Sequence, residues 1–224
     1  MTVVLCGSLG STAEMWEAQL DSFADAVVVE HPGHGAAPLV DSVRLDVLAH
    51  RVLAAVSGPF SFVGLSLGGA VGMRVAALAP ERVERLVLAC TSTRFGDPDQ
   101  WLHRAATVRA EGLEAIVDGV MERWFTPAYG DVRRWRDMFL SVDREAYARC
   151  CEALAGWDGE DDLGRIEADT LVIAAEHDPT APPDQGRRIA AAISGARFEV
   201  IAGAAHLANV ERPDEFNRLV ERHL

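Results

Sequence analysis

The chain has 224 residues, with 21 Lys+Arg against 34 Asp+Glu and a formal net charge of −13. So acidic a surface repels phosphate backbones and anionic lipid, which argues against a nucleic-acid or membrane partner; a small anionic ligand would need cations gathered locally. The length fits one domain, 1–224, 49% hydrophobic residues supply a sizeable core, and no signal peptide or spanning apolar run is present, so a cytoplasmic protein is expected.

In chain order, the first apolar run is Val3–Cys6, followed by the glycine-flanked turn Gly7-Ser8-Leu9-Gly10 and a helical pattern over Met15–Phe23. Val27–Val29 reads as a strand, Val43–Val56 as a helix, Phe60–Gly64 as a strand, Leu67–Leu78 as a helix and Leu86–Cys90 as a strand. From Thr93 to about Glu167 no good strand occurs. There the large apolar residues at 113, 116, 117, 120, 121 and 124 mark one helix face, and Tyr147, Cys150, Cys151 and Leu154 mark another. Alternation then resumes with strand Leu171–Ala175, helix Gln185–Ile193, strand Phe198–Ile201 and helix Phe216–Leu224. Continuously apolar strands alternating with helices predict an α/β fold, a doubly wound and mostly parallel sheet of about six strands. The strand-free stretch, approximately 93–167, is expected to be a helical cap inserted into that domain. The acidic run Asp158–Asp162 reads as a solvated loop. The four cysteines, Cys6, Cys90, Cys150 and Cys151, fit neither a disulfide framework nor metal-ligand spacing and are expected to be buried thiols.

The chemistry concentrates at Gly64-Leu65-Ser66-Leu67-Gly68-Gly69. G-x-S-x-G is a common string, but between a strand and a helix it is a nucleophile elbow: small residues let the two elements approach, and the serine hydroxyl stands above the sheet. An elbow demands an acid and then a histidine further along the chain. Asp178 follows the strand Leu171–Ala175 and His206 follows Phe198–Ile201, both just past strand carboxyl ends, where open α/β sheets build their sites. Glu176 and Asp97 compete for the acid's role; Asp178 is preferred, because Glu176 lies too near the strand end to reach the imidazole. Among the other histidines, His34 in Pro32-Gly33-His34-Gly35 reads as a loop brace. Oxyanion stabilisation requires two backbone donors. Leu67 supplies one, and Leu9 in the first turn, with Ser8 its neighbouring alternative, the other. No metal-ligand spacing, phosphate loop or dinucleotide fingerprint appears, so no metal and no cofactor is expected.

With those residues in place, the whole chain resembles the 3-oxoadipate enol-lactone hydrolases. The narrower segments that carry the resemblance are Glu122-Arg123-Trp124-Phe125-Thr126-Pro127 and Tyr147–Leu154, with Ala106-Thr107-Val108-Arg109, His177-Asp178-Pro179 and Ala205–Glu211 in support. The chain departs from that family in having no room for two antiparallel strands before Val3, in Pro32 where arginine is common, and in Thr180-Ala181-Pro182-Pro183. The resemblance implies hydrolysis of an enol-lactone through an acyl-enzyme on Ser66, with a small lactone or ester as substrate. Because that lactone carries a carboxylate, one of the cap arginines at 104, 109, 123, 133, 134 and 136 is expected to hold it, with Trp124 as a pocket wall. The alternatives are a carboxylesterase or C–C bond hydrolase acting on another small acid, and a non-catalytic binding protein of the same fold. Oligomeric state is left open.

Overall fold

The computed structural model describes residues 2–224. Six strands, β1 (Thr2–Cys6), β2 (Val27–Val28), β3 (Phe60–Leu65), β4 (Val83–Ala89), β5 (Asp169–Ala175) and β6 (Arg197–Ile201), form one sheet in the order β2-β1-β3-β4-β5-β6, and every pairing is parallel. The strand expectations hold to within a few residues. β3 is buried along its whole length, as a parallel strand covered on both faces must be.

The helices outside the β4–β5 connection are α1 (Glu17–Ser22), α2 (Leu45–Ala55) and α3 (Leu67–Leu78) before it, and Pro183–Ala192, Ala208–Glu211 and Pro213–Glu221 after it. The chain steps left from β1 to β2 and then rightward from β3 to β6. Right-handed crossovers therefore place α1 on one face and α2, α3 and Pro183–Ala192 on the other. The winding reverses between β1 and β3, which opens a crevice at their carboxyl ends.

Between β4 and β5 run α4 (Pro98–Glu111), α5 (Val117–Trp124), α6 (Arg133–Leu140), α7 (Arg144–Ala155) and α8 (Glu160–Leu163). Local chemistry explains their bounds. Asp97 caps α4 by accepting from the Asp99 amide, Pro98 takes the first helical position, and Gly112 ends the helix at φ 85°. Asp143 caps α7 through the Ala146 amide. The apolar face over 113–124 is interrupted at Ile116, so a 3₁₀ turn, Leu113–Ala115, precedes α5. After β5 the chain continues through α9 (Pro183–Ala192), α10 (Ala208–Glu211) and α11 (Pro213–Glu221). One expectation needs correcting. The acidic run at 158–162 is not wholly solvated: Asp162 is buried, and its carboxylate meets Arg74 at 2.8 Å, an ion pair that lets it leave water.

Candidate functional site

Ser66 stands alone between the last residue of β3 and the first of α3, at φ 59° and ψ −116°. A non-glycine residue there is strained by about 1–3 kcal/mol, so its surroundings must hold it. They do: the Ser66 amide donates to Ala89 O at 2.9 Å, and Ser66 O accepts from the Thr91 hydroxyl at 2.7 Å and the Ala70 amide at 3.0 Å. The flanking glycines follow from space. A Cβ on Gly68 would sit 1.9 Å from Cys6 O, and one on Gly64 would sit 2.3 Å from Gly68 O.

His206 arrives on the loop after β6 and Asp178 on the loop after β5. His206 Nε2 lies 2.8 Å from Ser66 Oγ, and His206 Nδ1 lies 2.7 Å from Asp178 Oδ2. The other carboxylate oxygen of Asp178 accepts from the Thr180 and Ala181 amides at 2.8 and 3.0 Å, which fixes the plane of the carboxylate. All three side chains are buried. A hydroxyl, an imidazole and a carboxylate in this order allow the ring to take the hydroxyl proton while the acid orients the ring and balances its charge. Glu176 turns elsewhere, is half-exposed and accepts from the Gly203 amide, while Asp97 is spent on capping α4.

The turn after β1 lies over the same space. The Ser8 amide points to Met15 Sδ at 3.4 Å, whereas the Leu9 and Leu67 amides have no partner among the described residues. Two buried histidines brace this turn from either side. His31 Nε2 donates to Gly7 O at 2.9 Å. His34 Nδ1 donates to Pro32 O, which leaves Nε2 to accept from the Gly10 amide at 3.1 Å. Both must stay neutral: burial pulls His31 down to about 4, and burial with the neighbouring His31 pulls His34 down to about 3. An unfolded chain takes up these protons below an ordinary value of 6.5, whereas the folded chain refuses them until about pH 4 and 3. The stability held by the two neutral rings is therefore complete above pH 6.5 and is lost as pH falls through that window. Urea unfolding between pH 7 and 4 should show a shallower loss for His34→Gln than for the unaltered protein; equal slopes would show that His34 titrates normally.

The cysteine expectation is met among the described residues. All four thiols are free and buried, and burial pushes Cys6 and Cys151 up to about 12 and Cys90 and Cys150 upward as well. They are poor nucleophiles.

A narrow cleft of about 30 Å³ lies over Ser66. Leu9, Ser66 and His206 line its floor, and Arg104, Arg123 and Trp124 line its roof. Trp124 is buried and meets Phe139 edge-to-face, so its ring is a fixed wall. The six candidate arginines of the helical segment divide sharply. Arg109 pairs with Glu145 and Glu152, Arg133 with Asp131, Arg134 with Glu17 and Arg136 with Asp118. Arg104 and Arg123 have no carboxylate within 4.0 Å among the described residues. Arg104 instead lies over the Trp101 ring at 4.8 Å, with its charge beside Tyr147. Burial, and then the charge of Arg104, hold Arg123 below the ordinary guanidinium range. Two cations thus face one cleft in a chain of net charge −13. Nothing in the sequence spacing singles these two out, since what distinguishes them is a place on the cleft combined with the lack of a carboxylate partner across the fold.

Comparison with known proteins agrees with this architecture. The model of the Alpha/beta hydrolase family matches residues 3–219. The chain is 34% identical to 3-oxoadipate enol-lactonase 2 of Acinetobacter baylyi, covering 98% of this chain and 86% of that protein. It is also similar to the crystal structure of the enol-lactonase from Burkholderia xenovorans, at 35% identity and a TM-score of 0.93 over 99% of this chain and 90% of the other. A hydrolase from Pseudomonas aeruginosa gives 37% identity and the same TM-score, covering 99% and 89%. A family match spanning nearly the whole chain, an all-parallel sheet and a strand–serine–helix elbow lead to one conclusion: the chain belongs to the alpha/beta hydrolase family and is a hydrolase of ester or lactone bonds.

Proposed function

We propose that this hydrolase opens a small enol-lactone bearing a carboxylate arm, with 3-oxoadipate enol-lactone, named for its relatives, as the best candidate. The observation that carries the reading is the pair of guanidiniums without a carboxylate partner, Arg104 and Arg123, over Ser66. Two like charges held in a half-buried cleft repel each other, and a carboxylate between them turns that cost into two charge-assisted hydrogen bonds. Segment α4–α8 acts as a cap on a single hydrolase domain, supplying substrate recognition while the sheet supplies the reacting groups.

In the reaction, His206 Nε2 takes the Ser66 proton as Oγ bonds to the lactone carbonyl carbon, and the π electrons move onto oxygen. The Leu9 and Leu67 amides donate to that oxyanion, each worth on the order of 3 kcal/mol in comparable sites. Collapse breaks the ring C–O bond. The enol oxygen leaves with the proton held by His206 and tautomerises to the ketone. Water then gives a proton to His206 and attacks the acyl carbon, and Ser66 departs with its proton restored. Trp124 forms the wall against which the lactone ring lies.

Replacing Arg104 or Arg123 by methionine keeps some of the packing of the stem and removes the charge. Each change should raise KM for the anionic lactone about tenfold or more, from about 1.5–3 kcal/mol per hydrogen bond to a charged group, and leave turnover of a neutral aryl ester nearly unaltered. If both substrates respond equally, the arginines do not read a carboxylate.

A further inference from the structure

We propose that Glu211 is a positioning residue for the hydrolytic reaction, clamping the histidine loop to the C-terminal end of α5 so that the imidazole and the cleft roof move as one body. The role rests on the assignment of His206 as the base, but not on the identity of the substrate.

Glu211 ends α10 and is buried. Its carboxylate accepts from the Ala205 amide at 2.8 Å, the Thr126 amide at 3.1 Å and the Thr126 hydroxyl. No arginine or histidine lies within 4.0 Å of it among the described residues. A carboxylate taken out of water without a cation is costly and is tolerated only when its lone pairs are met by donors. Here those donors come from two segments alone. Ala205 immediately precedes His206, and Thr126 follows Trp124 and Phe125.

The same two segments are joined by backbone. The His206 amide donates to Arg123 O at 3.3 Å, and the Leu207 amide donates to Trp124 O at 3.0 Å. Residues 123–126 and 205–207 therefore lie side by side, with the Glu211 side chain as the outer link. Arg123 meets the loop through its carbonyl and the cleft through its guanidinium, and Trp124 is its neighbour on the roof. The anchor beneath is fixed as well: buried Asn209, in the same short helix, donates to Met15 O at 2.7 Å and Gln19 Oε1 at 3.0 Å. A clamp built on a fixed base sets where the His206 ring sits relative to Ser66. Misplacement of a reacting group by about 1 Å can cost on the order of 10²-fold in rate.

The test uses the whole protein and p-nitrophenyl acetate, a neutral ester that makes no demand on the arginines. For Glu211→Ala, Glu211→Gln and Thr126→Val, kcat, the acid limb of the kcat/KM pH profile and the rate of Ser66 labelling by a fluorophosphonate are measured well below each variant's unfolding temperature. Glu211→Ala should lose roughly ten- to a hundredfold in kcat, displace the acid limb and slow labelling, with KM changing less than kcat. Glu211→Gln should be intermediate, because its carbonyl still accepts from Ala205 while its amide confronts Thr126. Thr126→Val should shift in the same direction by the least. Variants that unfold at lower temperature yet keep the parent's kcat, acid limb and labelling rate would overturn the proposal and leave Glu211 a purely structural carboxylate. If Glu211→Ala does not fold, the other two variants decide by the same readouts. A turnover retained in Ser66→Ala would instead refute the serine mechanism, which keeps the two failures apart.

Discussion

Ser66→Ala and His206→Ala should each abolish nearly all turnover, by up to about 10⁶ in kcat, without loss of the fold. The size follows from mutual dependence. As the proposed nucleophile, Ser66 Oγ would be weak until the imidazole 2.8 Å away accepted its proton, and the imidazole would have nothing to act on without the hydroxyl. The two losses should therefore not multiply: the double variant should be about as impaired as either single one, with residual rate supplied by the Leu9 and Leu67 amides and by binding. Stability should change little for Ser66→Ala, because the bonds that hold the strained elbow run through backbone and Thr91, not through the serine hydroxyl. Circular dichroism and turnover on an aryl ester check both halves. Substantial activity in either purified single variant would remove Ser66 and His206 from the chemistry.

Asp178→Asn should be the next most severe change, on the order of 10⁴ in kcat, with geometry nearly preserved. An amide in place of the carboxylate can present an N–H to His206 Nδ1, which moves the ring proton to Nε2 and leaves no acceptor for Ser66. The Thr180 and Ala181 amides still find an oxygen, so the loop keeps its shape. Glu176→Gln serves as the control, since Glu176 contacts the Gly203 amide and not the imidazole. If Glu176→Gln is inactive and Asp178→Asn is not, the acid has been misassigned.

The parts legible from sequence were those set by local rules. A strand, a glycine-flanked serine and a helix in succession specify an elbow wherever they occur, and an acid and a histidine just past two later strands can hardly avoid converging above a parallel sheet. Strands buried on both faces announce themselves as unbroken apolar runs. Helices α4 and α6 were less visible one by one, α4 because its buried face is only Ala105 and Val108 and α6 because its stripe of Trp135, Met138 and Phe139 spans about two turns, and α4 owes its bounds to Asp97, Pro98 and Gly112. What could not be read was pairing across the fold. The six candidate arginines, 104, 109, 123, 133, 134 and 136, look alike in sequence, and only the positions of Glu17, Asp118, Asp131, Glu145 and Glu152 show that four of them are neutralised while Arg104 and Arg123 are not. Asp162 reads as a surface acid until Arg74, in a distant helix, is seen to meet it. Glu211 likewise lies in Ala205–Glu211, a segment that supports the family resemblance, but its bonds to Thr126 exist only in three dimensions.

The measurement that bears most directly on a carboxylate-reading lactonase is kcat/KM for 3-oxoadipate enol-lactone beside that for the same lactone with its acid arm capped as the primary amide. The cap removes the charge while changing ring, leaving group and size very little. Charge recognition by Arg104 and Arg123 should favour the acid by about tenfold or more, with most of the difference in KM. Equal values for the two lactones, or a preference for the amide, would contradict it.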